Sequence, residues 1–169
     1  MILVEADSSG EWDSSTDWPA LAAGAVRAAV AAGGHSRLAE GALRIEISVR
    51  FTDDEEVRSL NAAWRGKDKA TNVLSFPMIE GEGLAALPVA EEGEMLLGDI
   101  VLAQGVCARE AEEKGVRPCA HAAHLVVHGT LHLLGFDHEQ SDAEAEAMEA
   151  VEREALAALG IADPYKVHG

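Results

Sequence analysis

Apolar and polar positions follow two periods along the chain, and together they predict a small sheet joined to several helices. Strict alternation over residues 43–50 indicates a half-buried strand, and shorter apolar runs indicate three more strands. The predicted strands are residues 2–5, at an edge, 43–50, 72–76 and 97–103. Helical spacing and capping residues predict five helices, at about residues 17–32, 52–64, 104–114, 119–134 and 141–159.

Capping residues and apolar stripes add detail to these helices. Asp17 precedes a Trp-Pro pair and is predicted to cap the first helix. Residues 52–55 have the sequence Thr-Asp-Asp-Glu, which predicts a capping box at the start of the second helix. In the same helix, Leu60 and Trp64 are expected to face the core. The last helix has an apolar stripe formed by Met148, Val151, Ala155 and Leu159. Its glutamates are expected to form a solvated face.

Length and composition predict one domain, residues 1–169, with a single core. A chain of 169 residues needs no disulfide or metal as a prop, and 48% apolar and 25% charged residues are typical of an ordered globular protein. Segments 7–17 and 78–94 are predicted loops. Two cysteines without a CxxC motif predict no disulfide partner. Without an export signal or a long apolar run, the chain is expected to be cytoplasmic, with no membrane partner.

The net charge of −17 argues against extensive contacts with nucleic acid, because such contacts come from Lys and Arg. Three of the 13 basic residues, Arg65, Lys67 and Lys69, nevertheless fall within five positions. They form either a solvated turn, which composition alone favours, or a local phosphate-binding patch. The acidic remainder suits a basic partner surface.

The densest candidate chemistry is a run of histidines. His124, His128, His132 and His138 place four of the seven histidines within fifteen residues. On a helix, His128 and His132 share one face, with Cβ atoms about 5–6 Å apart. Gly135 can end that helix and turn the chain so that His138 adds a third nitrogen. Three imidazoles with an open fourth position are typical of a catalytic zinc-like site.

Two neighbouring features qualify this interpretation. His124 lies on the same stripe but is expected to orient or pack rather than to bind the ion, and the same holds for His121. The spacing H-x-x-x-H-x-x-G-x-x-H is also that of metzincin proteases, in which a Glu follows the first His as general base. Here that position is Gly129. A protease or another hydrolase of zincin-like spacing is therefore a weak alternative.

The run from His128 to His138 closely resembles the histidine motif of the bacterial YbeY family of metal-dependent endoribonucleases. Two further blocks resemble the family, residues 60–77 and 97–100, and the similarity extends over residues 43–160. Phe136 is a departure, since the family often has Tyr there. The resemblance implies an α+β fold with a small mixed sheet and a central histidine helix.

The resemblance also implies a function and a site. The chain would be a single-strand endoribonuclease acting in ribosomal RNA processing, at the 3′ end of 16S RNA, and in ribosome quality control, with the small ribosomal subunit as partner. One divalent ion per chain, Zn²⁺ or alternatively Ni²⁺, would be held by His128, His132 and His138. Arg65 would stabilise charge on the phosphate, with Lys67 and Lys69 as further RNA contacts.

Three questions remain open from the residues. Asp99, Asp137 and His124 are candidates for supporting the ligands, although Asp99 could equally cap a loop and Asp137 could be a turn residue. The proton acceptor could be a hydroxide on the ion, one of the two aspartates or the substrate 2′-OH. A ribosome-assembly factor that acts mainly by binding is the alternative function.

Overall fold

The predicted strands form one mixed sheet in the computed structural model of the chain, which describes residues 1–9, 11–79, 82–137 and 141–165. The strands are β1 (Ile2–Ser8), β2 (Leu43–Thr52), β3 (Val73–Pro77) and β4 (Gly93–Ala103). They are ordered β1-β2-β4-β3. β2 pairs in parallel with both β1 and β4, whereas β3 runs antiparallel to β4. β1 is an edge strand, as predicted.

Helices account for most of the remaining described chain. In order, they are α1 (Trp18–Ala32), α2 (Arg37–Glu40), α3 (Asp54–Arg65), α4 (Glu82–Ala85), α5 (Gln104–Lys114), α6 (Pro118–Leu133) and α7 (Asp142–Ala158). All five predicted helices are present, and α2 and α4 are additional single turns. The predicted α+β fold with a small mixed sheet is therefore confirmed. Within the described ranges, no helix is both long and apolar enough to span a bilayer.

The sheet buries its two faces unequally. Ile100 and Leu102 belong to the main core, which α1 and α6 also build. Val101 packs on the other face with Val57 and Leu74 in a smaller cluster beneath α3. Alternate residues of β4 thus point to opposite layers, as the pleat of a strand requires. The histidine helix lies on the larger-core side.

α6 approaches β4 closely because two glycines lie at their contact. A Cβ atom at Gly129 would lie 2.9 Å from Ile100 Cγ2, and one at Gly98 would lie 2.6 Å from Leu133 Cδ2. Real Cβ atoms do not tolerate such distances, so these positions exclude any side chain unless the neighbours shift. α6 is therefore seated directly on the sheet, with its interior face almost completely buried.

Three local predictions require correction. The N-cap of α3 is Asp53, whose side chain accepts a hydrogen bond from Glu56 N at 2.8 Å, and Thr52 instead ends β2. Trp64 is 73% exposed because the sheet face beneath the end of α3 is left partly open. β4 begins at Gly93, inside the predicted loop 78–94. Backbone pairing with β2 extends the strand over residues whose apolar and polar side chains do not alternate, so the sequence pattern did not indicate it. The Asp17 cap of α1 is confirmed by its bond from Ala20 N.

Candidate active site

One cleft collects basic, imidazole and carboxylate groups that are distant in the sequence. It has a volume of about 990 Å³ and is bordered by the end of α3, by β3, by α6 and by the α1–α2 connection. The predicted site residues that line it are Arg65, Lys67, Lys69, His128, His132 and Asp137. His35 in the α1–α2 connection and Arg37 at the start of α2 also line it, and no sequence motif had indicated either residue. A cation-rich cleft on an acidic chain suits an anionic substrate.

His128 and His132 lie one turn apart on α6 and direct their Nε2 atoms toward each other. These atoms are 3.0 Å apart, and the two rings are nearly perpendicular at 81°. Two nitrogens that bind one tetrahedral ion at about 2.0–2.1 Å lie about 3.3 Å from each other. The pair therefore has a spacing that fits two ligands of a zinc-like ion.

The third predicted ligand, His138, lies outside the described residues. In the described ranges, no group of three or more His, Cys, Asp or Glu side chains is placed to hold an ion. Gly135 has φ +94° at the end of α6, which confirms the predicted left-handed turn. Phe136 packs against the main core, and Asp137 lines the cleft. The described chain thus positions two of the three predicted ligands and the turn that leads to the third.

Glu152 of α7 contacts Nδ1 of His128, the ring nitrogen that does not face His132. Its side chain is 1% exposed, and its Oε1 contacts His128 Nδ1. The expectation that the α7 glutamates form only a solvated face is therefore wrong for Glu152. The missed signal is its position within the apolar stripe, four residues after Met148 and three before Ala155. An acid on a buried stripe needs partners, and the histidines of α6 provide them.

Two further groups bind the second oxygen of Glu152. Tyr165 Oη donates a hydrogen bond to Oε2, and His124 Nε2 lies 3.2 Å from the same atom. His124 also lies edge-on to the Tyr165 ring. His124 therefore supports the site through Glu152, in line with its predicted orienting role. Tyr165 had no sequence signal, because it is an isolated aromatic residue beyond the last helix.

The electrostatics of this cluster favour an ionised Glu152. Burial raises its pKa, but hydrogen bonds from His124, His128 and Tyr165 outweigh burial and hold the pKa well below its usual range. Burial and donation to Glu152 raise the pKa of Tyr165, so its phenol keeps its proton. Glu152 is thus an acceptor and Tyr165 a donor at neutral pH.

His121 is part of a separate contact. Its Nε2 lies 2.8 Å from Glu110 Oε1, and Asn72 Nδ2 donates to the same oxygen at 3.0 Å. This cluster joins α5, α6 and the start of β3. His121 therefore packs and orients, as predicted, one turn of α6 away from His124.

The basic turn after α3 is shaped by Asn61. Its side chain is buried, and its Nδ2 donates to Lys69 O at 2.9 Å, while Lys67 N donates to its backbone oxygen at 3.2 Å. Gly66, with φ +68°, lets the chain reverse after Arg65. The turn is therefore fixed at its base, and its three basic side chains are exposed at the cleft.

Asp99 is not part of the cleft. It lines a second cavity of about 890 Å³ together with Trp64 and Phe76. Its neighbour Ile100 points to the core beneath α6, so Asp99 points to the opposite face of the sheet. Asp99, one of the candidates for supporting the ligands, therefore lies on the face of the sheet away from α6, as the alternation of β4 requires.

Gly129 also bears on the chemistry. Position 129 faces Ile100 of β4 rather than the cleft. A Glu at this position would be directed into the sheet and could not act on a substrate. The close packing of α6 on β4 therefore leaves no room for the glutamate that serves as the base in proteases. Among the described residues, Asp137 is the predicted site acid that lines the cleft.

The fold and the cleft define the class of protein, an α+β protein with a cation-rich cleft that suits an anionic substrate. The sequence model described as "Endoribonuclease YbeY" matches residues 12–160. The chain belongs to the endoribonuclease YbeY family, and the resemblance drawn from the histidine motif is confirmed.

Relatives named Endoribonuclease YbeY match almost end to end. The protein of Rhizorhabdus wittichii is 54% identical over 167 residues, covering 99% of this chain and 98% of that protein. The protein of Sphingopyxis alaskensis is 54% identical over 165 residues, covering 98% of each. A Thermotoga maritima protein solved in solution has a TM-score of 0.51 at 21% identity, covering 98% of this chain and 100% of that one. This last likeness concerns the fold alone.

Proposed function

We propose that this protein is a metal-dependent single-strand endoribonuclease that acts in the cytoplasm on ribosomal RNA, in maturation of the 16S 3′ end and in ribosome quality control. The observation that carries the proposal is the meeting of His128 and His132 with the Arg65 turn in one cleft. Family membership supports the cleavage of RNA. The choice of ribosomal RNA as the substrate rests only on the resemblance of the sequence motifs to the family.

The proposed cofactor is one divalent ion per chain, Zn²⁺ by preference and Ni²⁺ as the alternative. His128, His132 and His138 would hold it, and the spacing of the first two Nε2 atoms supports this assignment. The ion would supply Lewis-acid stabilisation of the phosphodiester when bound. Imidazole ligands do not discriminate strongly between zinc and nickel, so the metal is to be determined by elemental analysis.

Arg65 is the proposed phosphate-binding residue. It lies at the mouth of the cleft with an exposed side chain, on a turn that Asn61 fixes. A guanidinium can bind a phosphate through two hydrogen bonds and can stabilise charge that grows on its oxygens. Lys67 and Lys69 are proposed to neutralise neighbouring phosphates. Asp137, which lines the cleft, is proposed as the proton acceptor.

The partners proposed are RNA and the small ribosomal subunit. With a net charge of −17, the chain repels a polyanion except at its basic cleft, so binding is expected to be local and strongly salt-dependent. The acidic surface is complementary to basic ribosomal proteins, which are proposed as further contacts.

Replacement of Arg65 tests the mechanism. Arg65→Ala is expected to lower the rate of RNA cleavage by about 10²–10³-fold, the usual loss when a charge-stabilising group is removed, without changing metal content. The assay is cleavage of a labelled RNA with single-stranded segments, with elemental analysis of the same preparation. Arg44→Ala, which removes an exposed arginine paired with Glu94 on the sheet, is the matched control. Full cleavage by the Arg65 variant would remove Arg65 from the mechanism.

A second candidate function is ribosome assembly through binding, with the ion supporting the fold. The strongly acidic surface favours this alternative. His132→Ala distinguishes the two, because it removes a proposed ligand from the cleft and leaves the acidic surface unchanged. If that variant lost metal and cleavage but still supported ribosome maturation in cells, binding would be the main function.

A further inference from the structure

We propose that Glu152 and Tyr165 are positioning residues that fix the orientation of His128 and decide which of its ring nitrogens carries the hydrogen. The inference rests on the proposed metal site, because its consequence is that Nε2 of His128 is the nitrogen available to an ion. Neither residue lines the cleft. Both would act through His128.

The first step is the geometry around one carboxylate. Oε1 of Glu152 contacts His128 Nδ1, and Oε2 accepts from Tyr165 Oη and faces His124 Nε2 at 3.2 Å. The carboxyl group is 1% exposed, so water does not satisfy it. Buried charged groups of this kind persist only where donors surround them, and here three donors share the two oxygens.

The second step concerns the imidazole. A carboxylate can only accept hydrogen bonds, so the contact with Glu152 requires a hydrogen on Nδ1 of His128. A neutral imidazole with Nδ1–H presents a lone pair at Nε2. That atom points toward Nε2 of His132 at 3.0 Å, inside the cleft. Glu152 therefore selects the tautomer that a ligand at this position needs.

The third step explains why Tyr165 takes part. It follows α7, and its backbone N–H donates a hydrogen bond to Asp163 Oδ1, two residues earlier, at 2.8 Å. Arg153 lies 5.8 Å from the centre of the Tyr165 ring. The phenol binds Oε2, whereas His128 contacts Oε1. Glu152 is fixed at both oxygens, so the His128 ring has one orientation available.

Carboxylates that orient a ligand histidine also increase its basicity, and their loss typically lowers metal affinity by about 10–100-fold. Glu152→Gln is expected to show a loss of this size, since the amide lacks the negative charge. Tyr165→Phe is expected to show a smaller loss, because Oε1 keeps its contact with His128. Glu146→Gln makes the same chemical change on the exposed face of α7 and is expected to bind metal as wild type does.

Two measurements on the purified chain test the inference. Zn²⁺ affinity is measured by competition with a chromogenic chelator. Long-range proton–nitrogen NMR correlations on the metal-free chain identify which nitrogen of His128 carries the hydrogen. Wild type and Glu146→Gln are expected to show Nδ1–H. Glu152→Ala is expected to shift the hydrogen toward Nε2, a change that a purely structural role would not produce.

The outcomes separate this inference from the proposed function. Unchanged Zn²⁺ affinity in Glu152→Gln, or Nε2–H in the wild-type chain, would overturn the role of Glu152 while leaving a metallonuclease intact. Failure of the wild-type chain to bind Zn²⁺ would overturn the metal site, and the NMR result would still decide the positioning of His128. If Glu152→Ala fails to fold, the Zn²⁺ affinities of Glu152→Gln and Tyr165→Phe, compared with Glu146→Gln, still test the inference.

Discussion

Gly129 offers a direct test of how α6 is seated on the sheet. An alanine Cβ there would lie 2.9 Å from Ile100 Cγ2, and Ile is stiff at χ1 because its Cβ is branched. Overpacking of this kind costs about 1–3 kcal/mol. Alanine also gains about 1 kcal/mol over glycine in a helix interior. Gly129→Ala should therefore lower the free energy of unfolding by about 0–2 kcal/mol.

Gly24 is the matched control, because it too lies inside a helix. A Cβ at Gly24 would meet Leu159 Cδ2 at 3.7 Å, an ordinary contact. Gly24→Ala should therefore raise the free energy of unfolding by about 1 kcal/mol. The two variants should differ by about 1–3 kcal/mol, or about 2–12 °C in melting temperature for a domain of this size.

The assay is thermal and urea unfolding of both variants, in the presence of a chelator so that bound metal does not add to the stability. Equal stabilisation by the two substitutions would refute the close approach of α6 to β4. It would also remove the packing explanation for the absence of a glutamate after His128.

Two further predictions concern a thiol and a helix cap. Burial raises the pKa of the Cys107 thiol to about 12, so native protein at pH 8 should react with a thiol reagent only at Cys119, and at both cysteines after unfolding. Because the thiol of the unfolded chain has its ordinary pKa of 9.0, the free energy of unfolding should fall as the pH rises from about 9 to 12. Labelling of both thiols in the native chain would contradict the burial of Cys107. Asp53→Ala should lower the free energy of unfolding, measured by urea denaturation, by about 1 kcal/mol, whereas Asp53→Asn should keep most of the stability of the wild type because Asn also caps helices well. An Ala variant as stable as the wild type would mean that Asp53 is not the cap.

The parts of the molecule with a regular pattern were predictable from the sequence. Alternation located β2, and the spacing of His128, His132 and Gly135 located the site-bearing face of α6 and the turn that ends it. These predictions depend on neighbours a few residues apart, where backbone geometry alone decides which side chains share a face.

The residues that escaped prediction depend on contacts between distant elements. In the sequence, Glu152 looks like the other glutamates of α7, and only the packing of α7 on α6 shows its contact with His128. Tyr165 contributes only through its hydrogen bond to Glu152. Asp99 lies on the face opposite Ile100 and away from α6, and which face of β4 packs on α6 is set by contacts that the sequence pattern does not show. Trp64 was expected in the core, but β1, β2 and β4 leave that end of the sheet face open.

The parallel pairing of β1, β2 and β4 has a consequence for how the molecule folds. Ile2 pairs with Ile45 and Leu43 pairs with Gly93, so each ladder joins strands that are far apart in the chain. The entropy of closing these long loops must be overcome before the ladders contribute, which places folding on the order of milliseconds or slower. α6 packs on α1 as well as on β3 and β4, and Glu152 reaches it from α7. A spectroscopic probe at the histidine pair would therefore report the meeting of elements from both halves of the chain rather than a local event.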